Sequence, residues 1–149
     1  MWANGPEERL LSWREFREHI SKLSKEEAIL ETARLWSLAP ISNQYLAADL
    51  IEDWPDPWQL IHYNQYDDIS ITLGMIYTLT LADDRFNDVV FKVLQDINNN
   101  TNYHTAWFDE GDYILNYEYS EVINRNGLSS DLTVKYKYSY EELQISKYK

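Results

Sequence analysis

The chain has no cysteine, and only four glycines, four prolines, three histidines and two methionines in 149 residues. The missing thiols exclude disulfides, thiolate metal sites and a cysteine nucleophile. They say nothing firm about compartment, although an intracellular site is compatible. Scarce glycine leaves little material for a phosphate-cradling loop, and no Gly-x-Ser-x-Gly elbow of a hydrolase occurs. No apolar run is long enough to span a bilayer, and the N-terminus lacks the basic-then-apolar pattern of a secretion signal. Basic residues are also short: 13 Lys and Arg stand against 25 Asp and Glu, a formal net charge of −12. That balance opposes contact with nucleic-acid phosphates and with anionic membrane surfaces, so neither is an expected partner. Solubility is the plain consequence of the charge. A protein partner, basic if charge selects it, is the sharper one. The acids are scattered, with no run of five, which argues against mimicry of a polyanion.

Aromatic side chains are what the sequence has in excess: 6 Trp, 12 Tyr and 4 Phe. Tyr is concentrated after Tyr103, where it alternates along expected strands, as suits a half-buried sheet face. The length suits one domain, 1–149, with a core of its own.

Helical signals come first. Residues 1–9 read as a short arm, with turn chemistry in Asn4-Gly5-Pro6. Ser12 to Glu15 matches a capping box and predicts a helix over 13–22; Ser24 to Glu27 matches another and predicts a helix over 25–37. The two would form an antiparallel hairpin ended by Pro40. Residues 41–53 are ambiguous between a helical turn and a loop with Tyr45, Leu46 and Leu50 tucked in. Trp54-Pro55-Asp56-Pro57-Trp58 then opens a long element to about Leu81, with Asp56 as N-cap and Pro57 at the first helical position. Its polar middle, Tyr63 to Asp68, could split it, with Asp67 or Asp68 capping a second helix. Gly74 in the apolar half marks a close approach of another element.

After Leu81 the period changes from helical to alternating. Strands are expected over Asp88–Gln95, Tyr103–Phe108, Tyr113–Tyr119 and Asp131–Tyr138, with turns at Asp109–Asp112, where Gly111 is free to take positive φ, and at Asn126-Gly127. A third capping box, Ser139 to Glu142, predicts a C-terminal helix. Helices followed by an antiparallel meander imply an α+β fold: N-terminal helices packed on one face of a three- to five-stranded antiparallel sheet.

Two groups of residues could carry function. A hairpin centred on Asp109–Asp112 sets His104 opposite Tyr117, beside Asn116, so an imidazole base and an amide that orients it would be neighbours. The plainer reading is a structural histidine among aromatic neighbours. The second group is Trp54, Trp58, His62 and Tyr66, an aromatic surface for a ligand or partner. Its plainer reading is a hydrophobic staple at a helix entry. No metal or cofactor is expected: no short-spaced ligand pair exists, and His62, His104 and Asp67 would have to converge from distant positions. Asp109, Glu110 and Asp112 lack the spacing of a calcium loop and read as a solvated hairpin tip.

The order helix, strand with His104, short turn, strand with Asn116 resembles the core of the transglutaminase-like and papain-like fold, over roughly residues 66–117. That resemblance implies a nucleophile at the helix N-terminus, a His on the following strand and an Asp or Asn on the next. The matching helix N-terminus here offers Asp67, Asp68 and Ser70, and no cysteine, so the resemblance implies a retained scaffold without acyl-transfer chemistry. Trp13 to Phe16, Trp54 to Trp58 and Leu73 to Leu79 also resemble stretches of uncharacterised small proteins from T4-like tailed phages of marine bacteria. That second resemblance implies a phage accessory or interaction protein, cytoplasmic in a host cell or associated with a virion.

Overall fold

In the computed structural model, which describes residues 1–43 and 45–149, helix α1 (Pro6–Ile20) starts at its proline. Gly5 is the extended N-cap, Pro6 takes the first position, and Glu7 and Glu8 occupy the first turn. Pro there loses no hydrogen bond, and the acids complement the helix dipole. Ser12 therefore lies inside the helix, which corrects the expected start at Trp13. Residues 1–9 are not a free arm either. Trp2 packs edge-on against Trp36 and Tyr66, at 4.8 and 5.4 Å between centroids, and donates its indole N–H to the Leu35 carbonyl.

Helix α2 (Lys25–Trp36) is capped by the Ser24 hydroxyl, as the sequence predicts. The long element does divide in two. Helix α3 (Pro57–Tyr63) opens on a reciprocal capping box: the Asp56 carboxylate accepts from the Gln59 amide at 2.8 Å, and the Gln59 side chain accepts from the Asp56 amide at 3.0 Å. Asn64 then turns left-handed, φ 53°, and ends it. The buried Arg9 of α1 donates to the carbonyls of Ile61 and His62 at 3.1 and 2.8 Å, satisfying the end of α3.

Helix α4 (Asp68–Ala82) runs through the centre of the protein. Every residue from Ile69 to Thr80 is buried, as an all-round apolar helix must be. A Cβ on Gly74 would stand 2.2 Å from the Trp36 ring, so the indole lies directly on the helix backbone. The Thr78 hydroxyl accepts the indole N–H groups of Trp13 and Trp36, each at 2.9 Å, and donates to the Gly74 carbonyl at 2.6 Å. One hydroxyl thus uses its full hydrogen-bonding capacity to tie α1 and α2 to α4.

The strands are β1 (Val90–Asp96), β2 (Thr101–Phe108), β3 (Tyr113–Leu115), β4 (Val122–Ile123) and β5 (Leu132–Ser139), in the antiparallel order β4-β3-β2-β1-β5. The fold is α+β, as the change of period predicts. Three details differ from the sequence reading. Strand β5 does not extend the meander beyond β4 but crosses to the opposite edge, beside β1. Strand β3 stops at Leu115, because Asn116 turns left-handed at φ 65°. The Ser139–Glu142 capping box forms, with both bonds at 3.1 Å, yet only turns and a 3-10 turn (Ile145–Tyr148) follow it.

The described residues of 41–53 form a connection without an α-helix. Ile41 bridges to Tyr66, and a 3-10 turn covers Ile51–Asp53. Gln44, within the stretch read as a helical turn, lies outside the described residues. Tyr45 is 85% exposed, not tucked in.

Candidate functional site

Strand β2 presents His104, Ala106 and Phe108 on one face, by the two-residue period of a strand. Ala106 and Phe108 are fully buried core residues, so His104 stands on the helix-facing side, at the open end of that row. Helix α4 begins there. The expected hairpin register holds: Ala106, Trp107 and Phe108 pair with Leu115, Ile114 and Tyr113.

Alternation alone would send the Asn116 side chain to the opposite face, with Ile114. Its left-handed backbone, a conformation asparagine tolerates well, breaks the alternation. The Asn116 amide instead donates to Asp68 Oδ1 at 3.0 Å, to Thr72 Oγ1 at 2.9 Å and to the His104 carbonyl at 3.1 Å. The Thr72 hydroxyl also bonds the His104 carbonyl, at 2.6 Å. His104 Nδ1 lies 2.6 Å from Asp68 Oδ2. Asp68, the first residue of α4, is therefore held through both carboxylate oxygens, by His104 on one and Asn116 on the other.

This arrangement corrects the expected division of labour. Asn116 does not hold the His104 ring; it holds the carboxylate and the His104 main chain. Nor do Asp67 and Ser70 join this hydrogen-bonded group, although Asp67 lines the same cleft. Asp67 is buried, and its carboxylate accepts from the amides of Ser70 at 2.8 Å and Leu46 at 2.5 Å, an N-cap and a loop anchor. Ser70 is buried and follows Asp68 by two residues, about 200° around the helix, so it faces a different hollow, shared with Gln59 and Tyr63.

Asp68, His104 and Asn116 line an open cleft of about 640 Å³; four tyrosines, Tyr45, Tyr103, Tyr117 and Tyr119, form part of its wall, and Asp67, Leu46, Ala48, Ile69 and Asn102 the rest. Tyr103 and Tyr117 pack ring on ring at 4.7 Å. Tyr119 hydrogen-bonds the Ser37 carbonyl, tying the cleft rim to the end of α2. The Tyr103 phenol is held above its ordinary value, by burial first and then by Tyr117, Asp96 and Glu118. Asp96 and Glu118 make the surroundings of the cleft electronegative. The Asp68 side chain is about half exposed to it, while the His104 side chain is 17% exposed.

The aromatic group does not form one surface. Tyr66 is fully buried against Trp2 and Trp36. Trp54 packs on the sheet, 5.0 Å from Phe91 and 5.6 Å from Tyr138, rather than clamping the entry of α3. Only Trp58 and His62 remain exposed. Among the described residues no three His, Asp or Glu side chains group closely enough to share a metal ion, and His62, His104 and Asp67 do not converge. No helix among them is long and apolar enough to cross a membrane. The sequence reading missed Thr72, Tyr45, Tyr103, Tyr117 and Tyr119 as site residues. Thr72, one turn after Asp68 on the same helix face, was the one a four-residue spacing could have found.

No protein-family model matches the chain, and no curated protein matches it. Solved structures do. The chain is similar to LapG of Legionella pneumophila in its calcium-bound form, at 12% identity and a TM-score of 0.74, over 91% of this chain and 77% of that one. It is similar to the same protein without that qualification, at 13% identity and TM-score 0.71, and to its EGTA-treated form, at 12% and 0.73, each over 90% of this chain and 74% of LapG. At such identities the likeness is one of fold alone. Nothing among the matches points to phage proteins.

Proposed function

We propose that the protein is a transglutaminase-like module that binds a polypeptide through its cleft and does not cleave or transfer it. The observation that carries this reading is the Asp68 carboxylate, clasped by His104 and Asn116 at a helix N-terminus, the kind of position at which the transglutaminase-like core that the sequence order resembles carries a thiol nucleophile. A carboxylate is a poor nucleophile toward an amide, and its charge opposes the oxyanion that acyl transfer must form beside it. As a binding group it is well placed. A carboxylate has about four acceptor positions; His104 and Asn116 take one on each oxygen, leaving the others for a ligand. The aromatic walls of Tyr45, Tyr103, Tyr117 and Tyr119 add faces that attract a cation. A lysine or arginine side chain of the bound segment fits both features, and the net charge of −12 favours its approach.

The test is calorimetric titration with short extended peptides bearing one central lysine or arginine, against norleucine controls. The basic peptides are expected to bind, and Asp68→Asn to weaken them about tenfold, the loss of one charge-assisted contact. Equal binding of basic and norleucine peptides removes the reading.

A second reading keeps catalysis. A carboxylate–imidazole pair can activate water as a general base, and the 2.6 Å contact of His104 Nδ1 with Asp68 is such a pair. Hydrolysis of a peptide or ester by the wild type, abolished in His104→Ala, would favour it over the binding module.

A further inference from the structure

On α1, Arg17 carries a charge that makes no ion pair among the described residues. Its guanidinium lies over the Trp13 ring at 4.3 Å and within 5.7 Å of the Trp58 ring. Its Nε is buried and has no hydrogen-bond partner. No carboxylate among the described residues forms an ion pair with it. The adjacent Glu18 is engaged with Arg14 at 3.3 Å, one turn back. Burial holds the guanidinium below its ordinary value, with Arg14 adding like-charge repulsion against a smaller opposing pull from Glu18. Arginine stays charged regardless. In a chain with 25 acids and 13 bases, a half-buried guanidinium that no acid among the described residues contacts directly is out of keeping with its surroundings.

The surface around it is a groove of about 580 Å³ with an apolar floor of Leu10, Leu11, Trp58, Leu81 and Ala82 and a polar rim of Arg14, Glu18 and Ser21, where the one acid, Glu18, is paired with Arg14. Leu11 is 56% exposed and Trp58 42%. A second hollow, bordered by the same Arg17, Trp58, Leu81 and Ala82, continues it toward Tyr148; its acids, Asp83 and Asp84, confine a bound carboxylate to the Arg17 end. The Trp13 ring lies against the guanidinium, and the Trp58 ring, at 72° to the Trp13 ring, stands beside it, so the group is confined on two sides, which favours two-point recognition of a carboxylate.

We propose that this groove is a second binding site, for a polypeptide segment in which a single carboxylate lies beside large apolar side chains. The carboxylate pairs with Arg17, and the apolar neighbours cover Trp58 and Leu11. One carboxylate, not an acidic run, is the fitting partner. The global negative charge repels a polyanion, whereas a lone contact next to Arg14 and Arg17 is shielded beyond about 8 Å at physiological salt.

The experiment is a fluorescence and NMR titration of the full chain with a panel of octapeptides of leucine and phenylalanine, each carrying one glutamate at a different position, and their glutamine isosteres. At least one glutamate peptide is expected to bind with a Kd below about 1 mM and to shift the Trp58 indole signal. Its isostere should bind about tenfold more weakly, the size of one charge-assisted hydrogen bond. Arg17→Gln should erase that preference, Arg17→Lys should keep part of it, and Asp68→Asn, in the cleft, should leave it intact. Because Arg17 also shelters Trp13, thermal melts accompany each variant, and an unfolded Arg17→Gln leaves the isostere comparison on the wild type to decide. No binding by any peptide, equal binding of both series, or a preference that survives in a folded Arg17→Gln overturns the proposal.

Discussion

His104 Nδ1 and Asp68 Oδ2 lie 2.6 Å apart, joining β2 to the first residue of α4 across 36 positions of sequence. The contact sets an imidazole, a carboxylate and the helix N-terminus at one point. A thiol placed there would be stabilised as thiolate by both the imidazolium and the helix dipole. Asp68→Cys is therefore expected to give a cysteine that is alkylated by iodoacetamide with a midpoint clearly below the ordinary thiol value of about 8.5. Adding His104→Ala should return the midpoint toward that value. A midpoint that ignores His104 would show that the pair does not survive as a thiol–imidazole couple.

Thr78 offers a sharp test of the core. Thr78→Val keeps the shape but strands two indole N–H groups, those of Trp13 and Trp36, away from water. Each buried orphan donor costs about 1–3 kcal/mol, so a loss of about 3 kcal/mol in urea denaturation is expected. Thr78→Ser, which retains the hydroxyl, should recover most of it. Equal losses in the two variants would mean that packing, not hydrogen bonding, sets the value.

Gly74 should resist the usual gain from helix propensity. Alanine is favoured over glycine in a helix interior by about 1 kcal/mol, but a Cβ here would enter the Trp36 ring at 2.2 Å. Gly74→Ala is expected to destabilise by about 1–3 kcal/mol through overpacking. Near-neutral or raised stability in thermal melts would contradict the close approach.

Lys25, the first residue of α2, gives the pH dependence a sign. Its amine lies 2.5 Å from Asp109 and 3.4 Å from Asp88, tying the helical layer to the sheet. Burial lowers its pKa, but the bonds and charges of Asp109 and Asp88 outweigh it, and the net shift is upward from 10.5. A raised folded value means that the stabilisation is complete below 10.5 and is lost as pH rises through the folded value. Lys25→Met should therefore be less stable than wild type by about 0.5–1 kcal/mol near neutral pH, a value discounted for partial exposure. The gap in urea midpoints should narrow as pH rises past 10.5 and through the folded value. Tyrosines also ionise there, so the difference between the two proteins is the readout. A gap that is constant with pH would place the effect in the methylene stem.

Local chemistry alone determined the helix starts at Ser24 and Asp56, the split before α4, the packing contact at Gly74 and the hairpin register about Gly111. Each rests on neighbours in sequence: a cap three residues from its amide, a polar break, a turn whose length fixes pairing. The α+β order and the likeness to a transglutaminase-like core follow from the same signals. Tertiary structure decided the rest. Asp67, Asp68 and Ser70 are equivalent on paper, but successive helix positions turn by about 100°, and only packing of α4 on β2 selects Asp68 for His104. Asn116 reaches the cleft through one left-handed residue that breaks strand alternation, a conformation its neighbours in sequence do not demand. Ser12 lost to Pro6 as the start of α1 because Trp2, Arg9 and the end of α3 hold the first turns in place. The crossing of β5 to the far edge, and the contact of Arg17 with the Trp58 indole, depend on residues far apart in the chain, which no local spacing records.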